Sequence, residues 1–266
     1  MSEEIFTVCA PDGAEIGCVV DGDGPALLMV HGTGDTHHGW RRVQPLLRRH
    51  FKLYLMDRRG RGVSGDQQAY SLEREWDDVA AVIDAIPNAN VFAHSFGGMC
   101  ALEGALHLKK NTLRRLMVYE PSVNRMGPNA AREGAVEEMG RLIDKGDREA
   151  VVVTHLKQII RATDETIAKQ RANPANWASR LRMAHTMPRE LLTLRGYKFE
   201  PEKFAKISVP AEILYGEKSS PHARENTQTI AAAMPHAKLV ELPGQAHFGM
   251  LTAPELMAGI ISAFFK

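Results

Sequence analysis

The stretch NVFAHSFGGMCALEGAL, residues 90–106, decides the fold of this chain of 266 residues. It begins as a short apolar strand pattern, turns at a serine among small residues, and continues as a helical pattern. Ala93, Gly97 and Gly98 leave room for a tight bend that brings strand and helix close together. Such a bend exposes the Ser95 hydroxyl and turns the Phe96 backbone N–H toward a developing oxyanion. The alternative is a glycine-rich turn in which Ser95 only caps the helix.

Similar apolar runs recur on both sides of this stretch, and most are followed by turn residues. The runs are PALLMV (25–30), FKLYLM (51–56), RLMVY (115–119), AEILY (211–215) and KLVEL (238–242). Most are apolar throughout, which is typical of parallel strands covered on both faces. Two earlier runs, IFTVCA and AEIGCVV, flank PDG and predict an antiparallel hairpin at the sheet edge.

Amphipathic stretches separate these runs and predict helices. They are His38–Arg49, Leu72–Ile86, Phe96–Lys109, Ala223–Ala233 and Pro254–Phe265. The alternation predicts an α/β fold with a doubly wound, mainly parallel, eight-stranded sheet. Residues 124–207 carry only helical patterns, so we expect a helical cap between the sixth and seventh strands. Residues 1–123 and 208–266 would then form the core domain.

Composition narrows the class of protein. The net charge of +1 gives no nucleic-acid footprint, and no apolar run approaches the length of a membrane span. The N-terminus, MSEEIFTVCAPDG, is acidic and lacks an apolar signal core, so a cytoplasmic protein is expected. The three cysteines are odd in number and lack metal-binding spacing, which favours reduced thiols and no metal site.

Ligands of such sheets bind at the carboxyl ends of the strands, so the residues after each run carry the chemistry. His247 follows the last strand in a glycine-containing loop, from which its imidazole could reach Ser95. Imidazole titrates near neutral pH and therefore suits a general base. Phe96 would supply one oxyanion N–H, and the loop after the third strand, at Thr33, the other.

Four motifs in this order resemble the α/β-hydrolase family, and the resemblance spans nearly all of the chain outside the cap. They are HGTG (31–34), DRRGRGVSG (57–65), AHSFGG (93–98) and LPGQAHF (242–248). The sequence is most similar to the lidded esterase, lactonase and C–C bond hydrolase branches. Dehalogenases and epoxide hydrolases of the family use Asp as nucleophile, so Ser95 implies a serine hydrolase. The resemblance makes Asp57 a structural loop residue.

The triad acid departs from the usual pattern of the family. An Asp three residues after Gly216 is expected there, but Ser219 occupies that position. Some lidded members, including certain dehalogenases and mycotoxin lactonases, place the acid at the end of the preceding strand, where Glu120 lies. Glu217 is the nearer alternative, although a solvated loop acid explains it. Glu120 could instead face water or pair with Arg125.

We therefore expect a Ser95–His247–Glu120 hydrolase of a carboxylic ester or lactone, acting on a small to medium apolar molecule without cofactor or metal. His38, Trp177 and Met183 are candidate substrate-binding residues. The alternatives are a C–C bond hydrolase, a cofactor-free perhydrolase or haloperoxidase activity as a side reaction, or a small-molecule receptor on the same fold. Neither a nucleic acid nor a membrane is an expected partner, and a homodimer is compatible with the sequence.

Overall fold

The computed structural model describes residues 4–67, 69–123 and 130–266, in which eight strands form one sheet. The strands are β1 (Glu4–Cys9), β2 (Glu15–Asp21), β3 (Ala26–Val30), β4 (Lys52–Met56), β5 (Ala89–His94), β6 (Leu113–Tyr119), β7 (Ala211–Gly216) and β8 (Ala237–Leu242). Their order is β1-β2-β4-β3-β5-β6-β7-β8. The β1–β2 hairpin is antiparallel and lies at the edge, as predicted, and β3 to β8 pair in parallel.

Helices cover both faces of this sheet. They are α1 (Gln44–Leu47), α2 (Leu72–Ala85), α3 (Ser95–Ala105), α4 (Ala130–Asp144), α5 (Arg148–Thr154), α6 (Asp164–Arg171), α7 (Pro174–Arg182), α8 (Thr186–Thr193), α9 (Pro221–Ala233), α10 (Gly249–Thr252) and α11 (Pro254–Phe265). Short 3-10 segments occupy His37–Trp40 and Pro201–Lys206, and a π-helical turn occupies His155–Ile159. Over the described ranges, no helix combines the length and apolar character needed to cross a bilayer.

The central strands are buried on both faces, which confirms the doubly wound arrangement. In β5, Val91 packs into the apolar core shared with α2 and α3, whereas Phe92 points into the core shared with α11. Leu116 and Met117 divide in the same way in β6. Successive side chains of a strand point to opposite faces, so a strand apolar throughout can contribute to two cores at once.

One predicted helix is wrong in extent. The stretch His38–Arg49 is not continuous but divides into the 3-10 turn His37–Trp40 and the short helix α1. Pro45 sits in the first turn of α1, where its missing N–H costs no helical hydrogen bond. A helix that continued from the preceding turn would need a backbone N–H donor at residue 45. Proline has none, so a separate helix begins here.

The described part of the insert between β6 and β7 consists of helices joined by turns and loops and contains no strand, as the cap prediction requires. Helices α4 to α8 and the 3-10 segment Pro201–Lys206 follow one another before β7 begins at Ala211. Residues 124–129 lie outside the described part of the chain, so the first boundary of the cap, at residue 124, stays a prediction.

A buried ion-pair network fastens the cap to the core. Glu190 of α8 is fully buried and accepts hydrogen bonds from Arg58, at 2.9 Å, and from Arg61. Arg58 also pairs with buried Glu75 of α2 at 3.0 Å. Burial raises the pKa of Glu190, but the two guanidinium groups outweigh it and hold the carboxyl ionised. Each buried charge in this network is therefore stabilised by its oppositely charged partners.

Glu190→Gln is expected to lower the free energy of unfolding by about 3–5 kcal/mol, because it leaves buried guanidinium charge uncompensated. Urea denaturation followed by circular dichroism measures this. Glu149→Gln is the matched control, since Glu149 pairs with Arg171 on the cap surface at 2.7 Å with a half-exposed side chain. That change should cost less than about 1 kcal/mol. Equal small effects for both variants would show that the buried network does not hold the cap.

Candidate active site

Ser95 lies at a sharp bend between β5, which ends at His94, and α3, which it begins. Its φ of 56° is in the left-handed region, which non-glycine residues adopt only at a cost. Close packing enforces the bend: a Cβ on Gly97 would stand 2.3 Å from the His31 carbonyl oxygen, and one on Gly32 2.9 Å from Ser95 Cβ. Ser95 itself is only half-buried.

His247 connects Ser95 to Glu120 in one hydrogen-bonded line. His247 Nε2 lies 3.1 Å from Ser95 Oγ, and His247 Nδ1 lies 2.7 Å from Glu120 Oε2. An ionised carboxylate can only accept hydrogen bonds, so His247 Nδ1 carries the proton and donates a hydrogen bond to Glu120. Nε2 is then the acceptor that faces the serine hydroxyl. The structure thus brings together the three residues predicted to form the triad.

The sheet register explains why Ser95 and Glu120 are neighbours. His94 and Tyr119 are paired at the ends of β5 and β6, so the next residues leave adjacent strand ends. Glu120 also has a left-handed backbone, with φ of 44°. Among the described non-glycine residues, Asn88 and Arg161 are the only others with positive φ. Backbone strain of this kind tends to occur at functional sites.

The Glu120 carboxylate is almost fully buried, with 3% of the residue exposed, and all its contacts favour ionisation. Oε2 faces His247, while Oε1 accepts from the backbone N–H of Gly216 at 2.8 Å and from the Ser219 hydroxyl. Burial alone would raise the pKa of Glu120. The hydrogen bond and charge of His247, with the donors at Ser219 and Gly216, outweigh burial and lower it.

The competing acids have other partners. Glu217 is exposed and accepts the backbone N–H of Gly244 at 2.6 Å. Asp57 accepts from the backbone N–H and the Nδ1 of His37, both at 2.7 Å, and from the Val63 N–H at 2.9 Å. Arg125, the alternative partner for Glu120, lies outside the described residues. Among the described contacts, Glu120 is the acid that meets His247.

The loop after β3 packs against Ser95 and is held in place by hydrogen bonds from Arg58. The Arg58 side chain donates to the carbonyl oxygens of His31, at 3.0 Å, and Gly32, at 3.3 Å. His31 is fully buried, and burial lowers its pKa, so its imidazole is neutral and supports the loop by packing. Thr33 follows in this loop, and its N–H donates to no acceptor in the described part of the chain. Phe96 lies in the first turn of α3, where N–H groups lack helical acceptors.

Two side chains that lie at the site, those of Ser122 and His94, were not predicted from the sequence. Ser122 Oγ lies 3.1 Å from Ser95 Oγ, and the Ser122 N–H donates to the Ser95 carbonyl at 3.0 Å. The ring of His94 lies 4.5 Å from the His247 ring, and its Nε2 donates to the His247 carbonyl at 2.8 Å. Burial and the adjacent His247 lower the pKa of His94 well below its usual range. The available signals were the position of His94 next to Ser95 and that of Ser122 two residues after Glu120.

Cap side chains cover Gly34 in the loop after β3. Arg180 of α7 donates to the Gly34 carbonyl at 3.0 Å. A Cβ on Gly34 would lie 2.9 Å from His155 Cε1 and 3.4 Å from Met187 Cε. Helical periodicity marks such residues as buried but does not say against which surface they pack.

The three predicted substrate-binding residues differ from one another in burial. Trp177 and Met183 are buried in the apolar core that the cap shares with the sheet, and His38 is exposed, with its ring 4.0 Å from the His37 ring. Their role in substrate binding stays a prediction.

Comparison with known proteins gives the class of this chain. The family model described as "Alpha/beta hydrolase family" matches residues 27–260, so the chain belongs to that family. It is similar to an α/β hydrolase from Sphaerobacter thermophilus DSM 20745, with 30% identity, a TM-score of 0.80, and coverage of 98% of this chain and 100% of that chain.

Two solved structures with lower identity share the fold. The esterase RhEst1 from Rhodococcus sp. ECU1013 is 20% identical with a TM-score of 0.75, and the match covers 98% of each chain. The enol-lactonase from Burkholderia xenovorans LB400 is 18% identical with a TM-score of 0.76, covering 97% of this chain and 99% of that one.

Proposed function

We propose that this protein is a serine hydrolase that cleaves a carboxylic ester or lactone through an acyl-enzyme. The observation that carries the proposal is the line from Ser95 Oγ through His247 to Glu120, with distances of 3.1 and 2.7 Å. Nucleophile, base and orienting acid are thereby in the relation that acyl transfer needs. The family membership, and the esterase and enol-lactonase among the structures that share the fold, support the same reaction class.

In the first half-reaction, Ser95 Oγ attacks the substrate carbonyl carbon while His247 Nε2 accepts the hydroxyl proton. The negative charge of Glu120 stabilises the imidazolium that forms. The carbonyl oxygen becomes an oxyanion, for which the N–H groups of Thr33 and Phe96 are the donors in this proposal. Collapse of the intermediate breaks the ester C–O bond, and the imidazolium gives its proton to the leaving alkoxide.

In the second half-reaction, water repeats the attack on the acyl-enzyme. His247 removes the proton of that water, the same two N–H groups hold the second oxyanion, and Ser95 leaves with the proton restored. A lactone follows the same course, except that its alcohol stays attached to the acyl group. Met187, over the oxyanion loop, and Phe248, whose ring lies 5.0 Å from the His247 ring, give the proposed site apolar surface. These neighbours favour a small to medium apolar substrate.

The proposal predicts a burst of p-nitrophenol followed by steady turnover when the protein meets p-nitrophenyl acetate or butyrate at neutral pH. The burst reports the acyl-enzyme, because acylation releases the chromophore before water frees the serine. Stopped-flow absorbance measures both phases, and the burst amplitude should approach one per protein molecule. Absence of burst and of turnover would instead indicate a small-molecule receptor on the same fold.

A further inference from the structure

Ser219 occupies the position at which the family resemblance led us to expect the triad acid, and the structure gives its hydroxyl a specific contact. The Ser219 hydroxyl donates to Glu120 Oε1, the oxygen that does not face His247. The Gly216 N–H donates to the same oxygen at 2.8 Å. The two carboxylate oxygens are therefore divided: Oε1 is anchored to the loop after β7, and Oε2 is left for His247 at 2.7 Å.

We propose that Ser219 is a positioning residue that holds the Glu120 carboxylate toward His247. The inference rests on the proposed function, because it matters only if Glu120 acts as the triad acid. A glutamate reaching across from the neighbouring strand has three side-chain torsions, and a single hydrogen bond to His247 would leave it free to rotate. Two further donors on Oε1 fix the plane of the carboxylate.

The loop that carries Ser219 is rigid enough for this task. The Ser219 N–H donates to the Gly216 carbonyl at 3.0 Å, which closes a turn. The Glu217 N–H donates to the Leu242 carbonyl at 3.0 Å, and the Lys218 N–H donates to the Gln245 backbone carbonyl at 2.8 Å. Both acceptors belong to the segment that leads into His247. The hydroxyl and the imidazole that share Glu120 are thus carried by two loops bonded to each other.

The charges around Glu120 are few, so the effect of the hydroxyl can be isolated. His247 contacts Oε2, and neutral His94 lies behind its ring. The Tyr119 hydroxyl donates to the Ala246 carbonyl, and burial together with the Glu120 charge raises its pKa, so this side chain is neutral too. Within the described residues, the other contacts of the carboxylate are the neutral donors at Gly216 and Ser219.

Loss of the Ser219 hydroxyl should make the carboxylate more basic, because one hydrogen bond to its charged form disappears. The Glu120–His247 pair then binds its proton more tightly, and the acidic limb of the pH profile moves to higher pH. A hydrogen bond to a charged group corresponds to about one pH unit and to about a tenfold loss of kcat/KM at the plateau. Ser219→Thr keeps a hydroxyl and should restore both values.

The test is a double-mutant cycle on kcat/KM for a p-nitrophenyl ester, with pH profiles of the wild type, Ser219→Ala and Ser219→Thr. In a Glu120→Ala background there is no carboxylate to hold, so Ser219→Ala should cause no further loss. Equal losses in both backgrounds, or an unmoved acidic limb, would reduce Ser219 to a structural role. A thermal midpoint within a few degrees of the wild type establishes that Ser219→Ala is folded.

The cycle separates the two proposals. If Glu120→Ala lowers kcat/KM strongly but Ser219→Ala changes neither rate nor pH profile, the role of Ser219 is wrong and the triad stands. If Glu120→Ala leaves kcat/KM unchanged, Glu120 is not the acid, and the positioning role falls with it.

Discussion

Ser95→Ala is expected to lower kcat for ester hydrolysis by a factor on the order of 10⁶, because the proposed acyl-enzyme forms on the Ser95 hydroxyl. The residual rate would come from binding and from the oxyanion donors. The fold should be preserved, since alanine fills less space than serine and has the same preference against the left-handed backbone at φ of 56°. Initial rates with p-nitrophenyl butyrate, together with the thermal unfolding midpoint, measure both effects.

Ser122→Ala is the matched control for this nucleophile. Its hydroxyl lies 3.1 Å from Ser95 Oγ, so both serines belong to the same local environment. Ser122 has no described hydrogen bond to His247, and its replacement should change kcat by less than about tenfold, the loss of one hydrogen bond. A fluorophosphonate should label Ser95 in the wild type and in Ser122→Ala, as peptide mass spectrometry would show. Full turnover by Ser95→Ala would refute the assignment.

The parallel core could be predicted because burial on both faces leaves a direct mark in the sequence. Strands such as β5 and β6 contain continuous apolar runs, at residues 91–93 and 116–119, and such runs recur with helical patterns between them. Local chemistry decides smaller features that periodicity does not show. Pro45 divides one predicted helix in two, and the amphipathic pattern around it continues regardless of the proline.

The position of the candidate acid could be inferred because Ser219 leaves the usual one vacant. The reason that Glu120 fits there could not. It depends on the pairing of His94 with Tyr119, on the left-handed backbone at Glu120, and on donors from a loop about a hundred residues away. Such contacts come from tertiary packing, and no pattern within one segment reveals them.

The contacts between the cap helices and the core could not be predicted from the sequence. Helices α4 to α8 were foreseeable as a group, but their register against the core was not. Arg180, His155 and Met187 meet the loop after β3 at Gly34, and Trp177 and Met183, with equally suitable chemistry, are buried in the same apolar cluster as Met187. A helix can bury any of several faces, and only the docked partner decides which residues reach the site.

Glu120→Gln is expected to lower kcat by a factor on the order of 10⁴, and the surroundings of the carboxylate explain why the isosteric change is so damaging. Oε1 receives two donors, the Gly216 N–H and the Ser219 hydroxyl, so the amide oxygen of glutamine must occupy that side. The amide NH₂ group then faces His247 Nδ1 and donates to it. The imidazole proton is forced onto Nε2, which can no longer accept the proton of Ser95.

Glu217→Gln is the control that distinguishes the two candidate acids. Glu217 is exposed, and among the described contacts its carboxylate accepts one hydrogen bond, from the Gly244 N–H at 2.6 Å, which a glutamine oxygen can also accept. Its replacement should therefore change kcat by no more than about tenfold. Steady-state kinetics across pH 5 to 9 would reveal the Glu120→Gln defect as a loss at every pH, because the wrong tautomer is imposed by neutral hydrogen bonds. If Glu217→Gln causes the large loss and Glu120→Gln does not, the acid has been assigned to the wrong strand end.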